Sequence, residues 1–333
     1  MKKAVLESSL TVLSVLLGCG STGSQSEQSF QAFGTLSNID SLSNPISLEQ
    51  ITLSSKKSSE TSRSFSDWCV SKDSLNEGEQ HTVEILLEYA DTSDCNDAEK
   101  MLVSLIDIDL GDSQLIDLAP LASLSNLQLL HLSGNQITDV TPLLSLRNLQ
   151  ELILNENRIE DVSPLGSLND LVILGLRKNS ISDITALSNL NELEMLGLGK
   201  NPISDIAPLS NLTNLWFLEL EEAHISDITS LGNINSLELL ILEGNQITDV
   251  EPLAHLTNLR QLDLKGNQII DVEPLAHLTN LETLNLERNQ IVDVSPLSGL
   301  SNLIDLCVDE NLIVRIPSAQ IQPTCLPEPQ VLD

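Results

Sequence analysis

LQLLHLSGNQITDVTPLLSLRN, residues 127–148, decides the fold. Leu127-x-x-Leu130-x-Leu132 ends in the alternation of a short, half-buried strand. Asn135 follows at the bend, then Ile137, and then Asp139-Val140-x-Pro142-Leu143 with Leu146. That second limb reads as a short helical turn, capped by Asp and tolerant of Pro in its first turn. The pattern returns every 22 residues. Leu127 recurs as Leu149, Leu171, Leu193, Leu215, Leu237, Leu259, Leu281 and Leu303, and one step back as Leu105. Nine full units fill 105–302, and a partial tenth runs to about Pro317. One strand per unit, always in the same direction, predicts a parallel sheet. Each unit carries about seven inward aliphatic side chains that it cannot bury alone, so neighbours must stack into an α/β repeat solenoid. The column Asn135, Asn157, Asn179, Asn201, Asn245, Asn267, Asn289 and Asn311 is placed to satisfy backbone groups in the bend after each strand.

The 333 residues carry a formal net charge of −32 and only 2% aromatics, so Leu and Ile must fill the interior. The acidic excess argues against nucleic acid and anionic membrane surfaces as partners. It allows a basic protein ligand, and it also keeps a long array soluble. Residues 1–18 read as a signal peptide: Lys2 and Lys3, then an apolar run Leu10–Leu17 too short to span a bilayer. Leu16-Leu17-Gly18-Cys19 resembles a bacterial lipobox, which implies cleavage before Cys19 and a diacylglycerol on its thiol. Gly20, where an Asp would retain the protein at an inner membrane, favours an outer location. A plain secretory signal with a chance Cys is the alternative. Residues 19–66 form a Ser-rich tether.

Residues 67–104 read as a helical cap over the first unit, since terminal repeats expose core. A helix over His81–Tyr89 would turn Val83, Leu86, Leu87 and Ala90 inward; a second runs over Asp97–Leu102, with Trp68 packed against them. Residues 318–333 form a C-terminal cap or tail. With Cys19 set aside, four Cys remain. Strands stack about 4.8 Å apart, so the two ends of the array are roughly 40 Å apart, while a disulfide needs Cα atoms within about 7 Å. Cys69 should pair with Cys95 and Cys307 with Cys325.

The 22-residue unit with Asp-Ile/Val-x-Pro-Leu is similar to the internalin type of leucine-rich repeat, and to repeats of a phosphatase-regulatory relative. The resemblance covers Leu105 to about Pro317. It implies a right-handed superhelix with the sheet concave and short 3-10 turns on the convex side. It also implies that ligands, usually proteins, bind the concave side.

Function is sought in the outward strand positions. The first of them reads Leu129, Glu151, Ile173, Met195, Phe217, Leu239, so that four successive units present Ile173, Met195, Phe217 and Leu239 to solvent. The next reads Ile153, Gly175, Gly197, Glu219, Ile241, Asp263, with the two glycines leaving room beside the stripe. Glu219, Glu221, Glu222 and Glu243 would rim it with charge. Contiguous exposed apolar surface marks an interaction site. The sixth unit is the odd one: Trp216 and Phe217 are the array's only aromatics, and Ala223-His224 replaces its Asn. Aromatics dominate binding hot spots, although Trp216 could instead pack between units.

Chemistry finds little support. The column Asp117, Asp139, Asp161, Asp183, Asp205, Asp227, Asp249, Asp271, Asp293 is explained by capping rather than calcium, having no calcium-loop spacing. The five His are scattered, and no Ser/His/Asp or Cys/His set, phosphate loop or zinc spacing emerges. The reading is therefore a monomeric, non-enzymatic recognition module without cofactor or metal, exported and held at the envelope by its lipid, binding a protein ligand on the concave face. A structural envelope scaffold making weak repetitive contacts is the alternative, as is an intracellular scaffold resembling the phosphatase regulator if the N-terminus stays uncleaved.

Overall fold

The structure, a computed structural model, describes residues 63–314. The signal peptide, Cys19, most of the tether, Cys325 and the tail lie outside the described residues. Ten three-residue strands, from β1 (Asp107–Asp109) to β10 (Asp305–Cys307), form one parallel sheet in sequence order. Each pairs with the next in a strict register of 22, as in Asp107↔Leu129 and Met195↔Phe217. Short 3-10 turns, such as Thr141–Ser145 and Ser163–Ser167, form the opposite side. The expected solenoid, with a concave sheet and a convex row of 3-10 turns, is therefore what the repeat builds.

Two backbone problems recur along the array, and in most units side chains solve them. At the start of each 3-10 turn an N–H has no helical partner; the Asp column accepts it, as Asp139 Oδ1 does from Thr141 N and Asp183 Oδ1 from Thr185 N, both at 2.8 Å. In the bend, Asn157 donates to the carbonyls of Leu132 (2.9 Å) and Leu154 (3.0 Å) and accepts from Ile137 N (3.1 Å). One amide thus closes three backbone groups across two units, which fixes Asn at this position. The residue just before the Asn position is left-handed in all ten units, yet only Gly134, Gly244 and Gly266 are glycines there. At Gly134, φ is +70° and an added Cβ would fall on the Asp112 carboxylate.

The third unit shows the core rule: Leu149, Leu152, Leu154, Ile159, Val162, Leu165 and Leu168 are all buried. These seven join one cluster running from Phe65 to Val308. At roughly 1.5–3 kcal/mol per buried aliphatic side chain, stacking is the dominant favourable term, and no unit can obtain it alone.

The cap is helical, as expected, but larger. Helix α1 (Phe65–Val70) precedes the expected pair and buries Phe65; α2 spans Glu77–Tyr89 and α3 Cys95–Leu102. The cap begins at Phe65, two residues before the expected start at Asp67, because Ser64, at the end of a Ser-rich stretch, is already the N-cap. Ser64 and Asp67 form a capping box, as do Asn76 and Glu79 for α2. Val83 and Leu86 are buried while Leu87 and Ala90 are half-buried against the core. Helix α2 is locked to the first unit by the buried Thr82, whose hydroxyl donates to Asp117 O at 2.6 Å. His81 Nε2 lies 2.8 Å from Ser113 O. Cys69 and Cys95 form a disulfide with Cα atoms 5.6 Å apart, joining α1 to α3. Trp68 is half-buried, with the Arg63 guanidinium 3.8 Å above its ring. Cys307 is also a disulfide cysteine, and its partner lies outside the described residues.

Candidate ligand-binding face

The expected stripe exists but is not displayed to solvent. Met195 and Phe217 are buried, Phe217 completely, and Ile173 and Leu239 are each only 9% exposed. With Ile153 they form a second apolar cluster on the concave side of the sheet, separate from the main core, with Val172, Trp216 and Ile241 packed against it. The sequence shows which side of a strand a residue faces; it does not show what packs on that side. Large side chains on strands about 4.8 Å apart shield one another along the column, and the flanking columns lean on them. Gly175 and Gly197 are buried too, so they leave no open space beside the stripe. Of the expected aromatic pair, Phe217 is core-like. Trp216 stays half-exposed, its ring 6.2 Å from that of Phe217 in an edge arrangement.

Glu219 departs most from expectation. Instead of rimming the stripe, it is fully buried. Its Oε2 accepts from Gly199 N at 3.0 Å and its Oε1 weakly from Glu221 N at 3.4 Å. Gly199 makes this seat possible, because a Cβ there would lie 1.7 Å from Glu219 Oε1. Arg177 Nε is buried without a hydrogen-bond partner and stands 3.7 Å from the same oxygen. The Arg177 guanidinium also pairs with Glu221, which Lys200 contacts at 3.3 Å. Burial, and then repulsion from Glu221, push the Glu219 carboxyl up to about 7, against the pull of Arg177 and the two N–H groups. Glu221 and Glu243 are partly buried in ion pairs, Glu243 with Lys265 at 3.5 Å; only Glu222 is exposed as expected.

A search of curated protein sequences returns no match. Sequence profiles of leucine-rich repeats match residues 147–189 and 235–277 (two copies each), 123–140 and 280–303. Among solved structures, an internalin of Listeria monocytogenes, InlF, is 36% identical with a TM-score of 0.67, over 71% of this chain and 70% of its own. The chain belongs to the internalin family. Internalin C2 of the same organism is 31% identical with a TM-score of 0.54, over 68% of this chain and 91% of its own. A plant peptide hormone receptor, RGFR1, solved in complex with RGF2, is 26% identical with a TM-score of 0.56, over 63% of this chain and 37% of its own.

The remaining candidates in this internalin-type array are resolved by geometry. The Asp column caps turns throughout, and hydrogen bonds from the residue two places on hold the Asp161, Asp183 and Asp227 carboxyls below their ordinary value. Among the described residues no group of three His, Cys, Asp or Glu is placed to hold a metal ion. No described helix is long and apolar enough to cross a membrane. One constellation went unseen in the sequence: Asp109 Oδ1 lies 3.1 Å from His131 Nδ1, and His131 Nε2 lies 2.9 Å from Ser133 Oγ. Asp109 is 71% exposed by side chain and already accepts from Gly111 N at 2.9 Å, so this relay lies in water at the rim of the array. Its signal was available, since residues 22 apart on adjacent strands are neighbours.

Proposed function

We propose that this internalin-family chain is an exported recognition module, without catalytic activity, that binds a protein ligand on its concave face. The observation that carries the reading is the second apolar cluster. A solenoid needs one core between sheet and turns; nothing in its stacking calls for five large apolar side chains on the other side of the sheet. The half-exposed members, Trp216 and Ile241, with Glu221 and Glu243 beside them, make the contact. The buried Ile173, Met195, Phe217, Glu219 and Leu239 hold them rigid, which lowers the ordering cost of binding. The plant receptor of the same fold, solved with its peptide, supports an interaction role for such arrays. The Cys69–Cys95 disulfide suits an oxidising compartment. Cleavage before Cys19, a lipid anchor there and pairing of Cys307 with Cys325 complete the proposal.

A photo-crosslinking residue at position 216 should capture a protein on intact cells, while the same residue at the convex, exposed Leu144 should not. Capture from 144 alone would move the binding face to the convex side. Intact mass of the membrane-extracted protein should show a diacylglycerol-bearing Cys19 at its N-terminus, and non-reducing peptide mapping a Cys307–Cys325 peptide.

A further inference from the structure

We propose that the concave face selects a ligand segment in which a basic side chain, arginine above all, lies beside aliphatic ones, and that Trp216 flanked by Glu194 and Glu238 receives the cation. The inference rests on the concave-face reading and adds the chemistry of what is read. Glu194, Trp216 and Glu238 occupy the same position in three successive units. They are direct neighbours: Trp216 N donates to Glu194 O at 3.0 Å and Glu238 N to Trp216 O at 2.9 Å. A carboxylate-bearing residue therefore stands on each side of a half-exposed indole that the Phe217 cluster holds in place.

Around this indole the neighbouring basic side chains are closed within the array. Lys200 reaches Glu221 and Glu222 at 3.3 and 3.4 Å, Lys265 lies between Glu243 and Glu287 at 3.5 and 3.6 Å, and Arg177 pairs with Glu221. Arg260, next in the row beyond Glu238, is turned away to Glu282 at 2.9 Å. Among the described residues neither Glu194 nor Glu238 forms an ion pair. An aromatic ring with a carboxylate on either side, on a chain of net charge −32, is complementary to a cation. Guanidinium suits it better than ammonium, being planar, weakly hydrated and able to stack on indole while bonding both carboxylates. The apolar rim at Ile241 and Val172 supplies the aliphatic half of the preference.

The test pans a displayed random dodecapeptide library on the full chain, then measures the best binder against its arginine-to-citrulline form. Selected peptides should carry Arg next to Leu, Ile or Val, and citrulline should weaken binding at least tenfold. In the Glu194→Gln/Glu238→Gln double variant, which alters only exposed or half-exposed side chains, that gap should shrink below threefold. Trp216→Ala should abolish binding of both peptides. Equal binding of the arginine and citrulline forms, or a gap that survives in the double variant, overturns the cation proposal; if binding still requires Trp216, the concave-face reading stands. Selection of no peptide whose binding depends on Trp216 overturns both.

Discussion

Glu219→Gln tests whether the concave cluster is as dry as its geometry implies. The carboxylate is fully buried, bonded to Gly199 N at 3.0 Å, and held up to about 7 from a reference of 4.5 chiefly by burial. Below 4.5 both native and unfolded chains are protonated at this site, and it contributes no pH dependence. Between 4.5 and about 7 the native state keeps a proton that the unfolded state has released, so stability falls as pH rises. Above about 7 the loss is complete, and the displacement corresponds to about 3 kcal/mol. The capping Asp161, Asp183 and Asp227 act in the opposite sense and elsewhere. Their lowered carboxyls add stability that is lost as pH falls below 3.8, so the two windows do not overlap. Gln keeps the shape and can still accept from Gly199 N, but it does not titrate. Urea unfolding of both chains at pH 4.5 and pH 8, followed by circular dichroism, should show the variant gaining about 3 kcal/mol relative to the parent across that interval. Glu221→Gln should shift the window downward by removing the second cause. Parallel pH slopes for parent and Glu219→Gln would mean that the carboxylate is solvated, and the dry cluster would be wrong.

Phe217→Ala should cost about 3–5 kcal/mol of stability, read as a lowered urea midpoint, whereas the half-exposed Trp216→Ala should cost less; an unchanged midpoint for Phe217→Ala would return it to the surface. Asn267→Ala leaves Ile247 N and the carbonyls of Leu242 and Leu264 without their amide, at about 1–3 kcal/mol per orphaned group. The converse Ala223→Asn should change stability by less than about 1 kcal/mol, because Ile203 N is already bonded to Asn201 O at 2.8 Å. Removing the Cys69–Cys95 disulfide, which spans 26 residues, should destabilise by about 3–4 kcal/mol; hydrogen exchange should show the loss in α1 and α3 before the array.

The period made the array legible because each unit repeats the same solution to the same backbone problem. Register, strand direction and the Asp and Asn roles all follow from counting in steps of 22, and the first disulfide follows from the length of the stack. Packing on the far side of the sheet does not follow from counting. Alternation sends Met195 and Phe217 away from the core in any solenoid; whether they end in water depends on the neighbours along the column. Glu219 shows the same limit, and also a missed signal. When the units are aligned in register, Gly199 lies two positions beyond the Glu219 column in the preceding unit, and that missing side chain is the seat the carboxylate takes. The cap was harder because nothing in it repeats. Helix α1 was announced only by Ser64-x-x-Asp67, a capping box at the edge of a Ser-rich stretch.

The sixth unit departs from the bend motif. Ala223 cannot close the bend as Asn does, and the chain compensates on both sides. Asn245 Oδ1 accepts from Ala223 N at 3.2 Å as well as from Ile225 N at 2.9 Å. Upstream, Ile203 N, which an Asn at 223 would have served, turns to Asn201 O, with Pro202 between them. His224 then becomes left-handed with φ +59°, as Gln114 does after Ser113 in the first unit, which also lacks the Asn. The Asn thus does more than satisfy the bend: where it is missing, a second residue must leave the right-handed region. In a stacked array the stability of such a unit is set largely by its interfaces with its neighbours, and the fifth and seventh units keep their full Asn networks. The sixth is therefore free to differ, and it is the unit that carries Trp216, Phe217 and the buried Glu219. Regular neighbours make an irregular unit affordable, and in this solenoid the broken bend motif and the outward aromatics fall in the same unit, the one proposed above to make the contact.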